Sequence, residues 1–148
     1  MVPERAAAGG ARPTFRTPRV IYLGLCALLL VGILAQVFMA GLGVLVDPRY
    51  FALHQSFGHL FGPVIVLMLV YALSGRLPRQ VVLATLGLLL LYGLQYVFLG
   101  LGAGLSFLRP FHVVDALLLF WSAARLAQDT RQRLTGTHLQ RSLPTEGA

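Results

Sequence analysis

Three histidines fall inside long apolar stretches: His54, His59 and His112. A polar ring is costly to place among apolar groups, and an ionisable residue at membrane depth is a functional candidate by default. Neutral imidazole is a ligand for zinc, copper and haem iron. A fourth histidine, His138, lies in a polar stretch and carries no such argument. Asp115 follows His112 by three residues, on nearly the same helical face. It is placed to accept a hydrogen bond from the ring nitrogen that a metal leaves free, or to act as a proton-relay group.

His54 and His112 take matching places in a weak internal repeat. Gln36-Val-Phe-Met-Ala-Gly41-Leu42-Gly43 parallels Gln95-Tyr-Val-Phe-Leu-Gly100-Leu101-Gly102, with four of eight positions identical. His54 comes 18 residues after Gln36, and His112 comes 17 after Gln95. Four residues beyond each histidine, on the same helical face, stand the small residues Gly58 and Ala116. Two two-helix repeats in the same orientation imply a pseudo-two-fold axis along the membrane normal, with the second and fourth helices facing each other. Two imidazoles at one depth then suit a haem iron, one on each side of the ring. Gly58 and Ala116 would leave room for a flat macrocycle, and Gly41, Gly43, Gly100 and Gly102 would let the first and third helices approach its edge. Phe57, Phe61, Phe111 and Trp121 would supply apolar wall. Arg49 and Arg109, at the opposite helix ends from the other arginines, can pair with two propionates.

A plainer reading stays open: interfacial histidines, small residues for helix packing and arginines as anchors. Zinc or copper would need a third and a fourth ligand. His59 is five residues beyond His54 and so about 140° around the helix. It is an alternative ligand in place of His54, at a deeper level, or a hydrogen-bond partner across the bundle. Gln36 and Gln95 are interhelical hydrogen-bond partners, or groups that orient a ligand.

These residues need a scaffold, and the composition specifies it. Of 148 residues, 57% are apolar and 11% charged, against about 45–50% and about 25% in soluble domains. That excludes an ordinary soluble enzyme, a disordered chain and a disulfide-stapled domain. Charge-free runs cover 20–46, 50–75 and 80–108, and 110–124 carries only Asp115. The expectation is an all-α membrane protein: a four-helix bundle with spans near 20–45, 51–74, 79–104 and 110–128. A disordered basic tail, 1–19, precedes it and a polar tail, 129–148, follows. The first run has 27 residues, too long for the roughly 7–15 of a signal peptide.

All 12 basic residues are arginine, and with five acidic residues the net charge is +7. Ten arginines lie in the two tails, the second loop and the end of the fourth span (Arg125), and only Arg49 and Arg109 in the other loops. This asymmetry places both termini in the cytoplasm. The charge is an orientation signal and a contact for anionic lipid, not a nucleic-acid footprint. Cys26 reads as a small core residue, and no Cys-x-x-Cys-His for covalent haem is present.

Gln36 through Gly43, His54 to Gly58, Gln95 through Gly102 and His112-Val-Val-Asp115-Ala116 together resemble an uncharacterised family of small four-helix bacterial membrane proteins. The same layout resembles one half of a haem A synthase. In that family each half is a four-helix bundle whose second and fourth helices each give one haem-ligating histidine. The resemblance implies ligands at His54 and His112. Catalytic halves carry a Glu just before the first histidine, where this chain has Phe51, Ala52 and Leu53. The paired outer-loop cysteines of many members are also absent. The implied analogue is the half that holds a b-type haem without oxidising it.

The functional expectation is a small membrane cytochrome-like protein of the bacterial inner membrane. It would bind one haem b for electron transfer, with a redox partner or within a larger complex. The alternatives are a cofactor-free accessory subunit, or a proton or solute pathway using His59 and Asp115. No nucleophile–base pair or phosphate-cradling loop indicates an enzyme.

Overall fold

The computed structural model describes residues 16–101 and 104–141, with side chains described for 17–101 and 104–133. The elements are α1 (Arg16–Leu45), α2 (Tyr50–Gly58), α3 (Phe61–Ser74), α4 (Arg79–Leu101), one 3-10 turn (Ser106–Leu108) and α5 (Arg109–Arg141). Among the described residues there is no strand. With α2 and α3 counted together, four helices of 29, 25, 23 and 28 residues are long and apolar enough to cross a membrane, where about 20 residues suffice. The chain is a multi-pass integral membrane protein.

Helices α1, α3, α4 and α5 each bury a stripe at i, i+3 and i+4 spacing, whereas α2 buries no residue. Tyr22, Cys26, Leu29 and Ile33 of α1 meet Phe61, Ile65, Met68 and Ala72 of α3 in one core, which Val81, Leu88, Leu119, Ala123 and Leu126 complete. The opposite faces carry exposed Leu28, Val31, Phe38, Val66, Leu67 and Leu118, the surface that lipid covers. Helix α1 packs on α2, α3 and α5, and α4 packs on α3 and α5. The second and fourth spans are therefore diagonal across a closed bundle. A Cβ on Gly32 would collide with the Phe61 ring, so α1 and α3 approach closely there. A polar pair of α1 and α4 lies within this core. Thr85 donates to the Val81 carbonyl at 2.8 Å, which uses its single hydroxyl proton. Tyr22 is then the donor to Thr85, also at 2.8 Å.

The second span is not one continuous helix. Pro63 has no N–H for the His59 carbonyl, and its ring crowds that carbonyl. The helix opens at residues 59–60 and restarts at Phe61. The turn after α3 closes in a Schellman arrangement. Leu77 N–H donates to the Ala72 carbonyl at 2.9 Å and Arg76 N–H to the Leu73 carbonyl at 3.0 Å, with Arg76 at φ 48°. The arginine-rich helix ends gather at one end of the bundle. Arg19 Nε donates to the Gly75 carbonyl at 3.1 Å and Arg133 to Gln80 Oε1 at 3.3 Å.

Three boundaries differ from expectation. Helix α1 starts at Arg16, inside the stretch read as a tail. Helix α5 runs past 128 to Arg141, so the first part of the expected polar tail is helix. Losing apolar residues ends a membrane span, but Arg, Leu and Gln still favour helix in water. Helix α4 closes at Leu101 rather than 104. Residues 1–15, 102–103 (with Gly102) and 142–148 lie outside the described residues.

Candidate functional site

His54 lies near the middle of α2, half-buried, with its ring against α1. Its Nδ1 is 3.0 Å from the backbone oxygen of Gln36. A carbonyl only accepts, so Nδ1 carries the proton and Nε2 keeps its lone pair. His112, in the first turn of α5, faces it across the bundle. The ring centroids are 6.2 Å apart and the planes meet at 72°. The two positions matched in the repeat are thus together at one level. His112 lies against the Gln95 backbone, yet its buried Nδ1 completes no hydrogen bond among the described residues.

Asp115 is buried but does not orient His112. Its Oδ2 accepts from Gln95 Nε2 at 2.6 Å, tying α4 to α5. Three residues along a helix leave side chains about 60° apart, enough to send Asp115 to a neighbouring helix. Gln36 behaves differently from Gln95. Its side-chain amide lies over Gly58, where a Cβ would stand 2.6 Å from Gln36 Nε2. Its Oε1 is buried and unbonded among the described residues. The lack of a side chain at Gly58 therefore makes room for the Gln36 amide, where a flat macrocycle was expected. Ala116 is half-buried on the His112 face. A Cβ on Gly41 or Gly100 would meet nothing within 4 Å, and one on Gly43 would meet the Phe51 ring at 2.9 Å.

Arg49 makes a fork to Asp47 rather than standing alone. Its Nε and Nη2 donate to Oδ2 at 2.9 and 2.6 Å, and its backbone N–H to Oδ1 at 2.8 Å. The guanidinium holds the Asp47 carboxyl below the usual carboxylate range. Arg109 is exposed at the first position of α5. A shallow recess at this arginine-poor end is lined by Val46, Asp47, Arg49, Tyr50 and Leu53.

His59 is exposed and faces α4, not the centre. It stacks on Tyr96, centroids 5.5 Å apart and planes at 17°, and its Nδ1 is 3.0 Å from the Tyr96 hydroxyl. Tyr96 meets Tyr92 at 2.8 Å, and Tyr92 donates to the Gly58 carbonyl at 3.4 Å. His59 does not replace His54 in the central pair. It is not joined to Asp115 either: their partners, Tyr96 and Gln95, are adjacent on α4 and diverge by about 100°. Tyr92 and Tyr96 were missed as site residues, though two tyrosines four apart within an apolar run are a visible sign of a polar face.

No group of three or more His, Cys, Asp or Glu side chains able to hold a bare metal ion occurs among the described residues. Residues 36–103 match the model of a family described as a family of unknown function (DUF6220). That stretch contains Gln36, His54, Gly58, His59, Tyr92, Gln95 and Tyr96, and ends before His112 and Asp115. No curated protein and no solved structure matches the chain.

Proposed function

We propose that this protein holds one non-covalent b-type haem between its second and fourth spans, ligated by His54 and His112, and serves electron transfer within a membrane assembly. The carrying observation is the 6.2 Å separation of the two ring centroids. A metal–imidazole bond is about 2.0–2.1 Å and the centroid lies about 1.1 Å behind the donor nitrogen, so two imidazoles on one iron stand roughly 6.3 Å apart. The donor set supports the same reading. A bare ion lacks its third and fourth ligands here, whereas a porphyrin brings four nitrogens of its own and asks the protein for two.

The local chemistry agrees. The Gln36 carbonyl holds the His54 proton on Nδ1, which leaves Nε2 as the ligand and makes the ring a better donor. Two buried polar atoms near the pair, His112 Nδ1 and Gln36 Oε1, complete no hydrogen bond among the described residues. Gly58 and Ala116 flank the pair with little bulk, and the Gln36 amide would turn aside. Arg109 would meet a propionate, while Arg49 would share its charge with Asp47. A haem held by His54 and His112 would supply single-electron exchange rather than substrate chemistry. The chain would sit in a bacterial inner membrane with both termini in the cytoplasm, because its arginine-rich end carries ten of twelve arginines.

An absorption spectrum of the full-length protein, purified in mild detergent from haem-supplemented cells, tests this. A Soret band is expected, lost in His54→Ala and in His112→Ala and kept in His59→Ala. A colourless folded protein, or a band that survives both central substitutions, would refute it.

A further inference from the structure

The His59, Tyr96 and Tyr92 relay has a fixed direction. The Gly58 carbonyl can only accept, so the single Tyr92 hydroxyl proton goes there. Tyr92 then has only lone pairs for Tyr96, and Tyr96 must donate to it. Tyr96 in turn has only lone pairs for His59, so His59 Nδ1 must be the donor. A backbone carbonyl thus sets the tautomer of an imidazole through two phenols. His59 Nε2 is left as an acceptor with no hydrogen bond among the described residues.

This acceptor is on the outside of the bundle, within the second apolar span. Tyr96 and Tyr92 are five and nine residues before the end of α4 at Leu101, which is about 8 and 14 Å below that end. His59 and Tyr96 are exposed, and around them Leu60, Val97 and Leu99 are exposed apolar side chains. Gln55 is exposed one turn before His59 on α2. A polar, flat, stacked face within an apolar rim needs a partner that is itself flat, dissolved in the hydrocarbon and carries an O–H donor. Phospholipid headgroups stay at the membrane surface, above this level.

We propose that the face formed by His59 and Tyr96 is a binding site for the reduced, hydroxyl-bearing form of a membrane quinone, whose O–H donates to His59 Nε2. The oxidised form presents carbonyls, which only accept, and so meets a lone pair with a lone pair. The proposal stands whether or not His54 and His112 hold haem, because its readout is binding rather than colour.

The test uses the full-length protein in phosphatidylcholine nanodiscs, with decylubiquinol, decylubiquinone and the bis-O-methyl ether of the quinol as probes. The quinol is expected to bind about tenfold more tightly than either of the others, the scale of one hydrogen bond against an unmet acceptor. Tyr92→Phe frees the Tyr96 proton to turn toward Nδ1, so the preference should fall toward unity. His59→Gln, whose amide both donates and accepts, should bind quinol and quinone alike, which keeps the test valid if Tyr92→Phe does not fold. Nitrogen-15 spectra should show His59 protonated at Nδ1 in the wild type. Equal binding of the three probes, an unchanged preference in both variants, a proton on Nε2, or displacement of the quinol by added phosphatidylglycerol would each overturn the proposal.

Discussion

Gln95 on α4 donates a hydrogen bond from its amide to buried Asp115 on α5, Nε2 to Oδ2 at 2.6 Å, with Asp115 one turn after His112. The bond joins two helices inside an apolar bundle, where losing one partner strands the other. Gln95→Leu should lower stability by about 1–3 kcal/mol, since Asp115 is left buried without its donor. Asp115→Asn keeps an acceptor oxygen and should cost less than about 1 kcal/mol. Thermal unfolding of both variants in one detergent checks the order, and a larger loss for Asp115→Asn contradicts it.

Glycines at equivalent-looking places should respond differently. A methyl on Gly58 meets the Gln36 amide, whereas one on Gly41 meets nothing within 4 Å. Gly58→Ala should destabilise by about 1 kcal/mol or more through overpacking, and under the proposed haem reading it should also lower the pigment content. Gly41→Ala should be neutral or stabilising by up to about 1 kcal/mol, because alanine is the better helix former. Melting curves with parallel pigment content separate the two.

The α1–α3 contact at Gly32 depends on the Phe61 ring. Gly32→Ala should cost about 1–3 kcal/mol. Adding Phe61→Leu should recover part of that loss, so the double mutant is less damaged than the sum of the singles. Strict additivity in chemical or thermal unfolding would show that the two side chains do not meet.

Asp47 titrates below an ordinary carboxylate because Arg49 bonds to its charged form. Its folded value is depressed, so its contribution to stability is present above the ordinary aspartate range and is lost as pH falls through the folded value. The pair is solvent-exposed, and the contribution is correspondingly small. Carbon-13 titration should place Asp47 below reference aspartate in the wild type and return it upward in Arg49→Gln.

Much of the bundle is legible in the residue order, since charge-free runs longer than 20 residues leave few options in a bilayer. The pairing of His54 with His112 is legible for a similar reason: spacing from Gln36 and Gln95 fixes their level, and diagonal helices turn them inward. What spacing does not fix is where a flexible side chain ends. Asp115 and His112 share a face within 60°, yet Asp115 goes to Gln95. Gln36 was expected to bridge helices through its amide, and instead its backbone carbonyl does so. The break in the second span, expected as one helix over 51–74, was overlooked although Pro63 was there to mark it: a missing N–H is a covalent fact. The reach of α5 to Arg141 was not visible in apolar periodicity, which reports burial and falls silent once a helix leaves the membrane.

That break has a mechanical consequence for the histidine pair. His54 rides on α2, a nine-residue segment hinged at 59–60 and held to α1 by its own ring. His112 rides on α5, a 33-residue rod. One arm of the pair is compliant and the other stiff. A change in the gap between the rings would therefore be taken up by the short arm, and the two-fold likeness of the sequence does not extend to how its two halves yield.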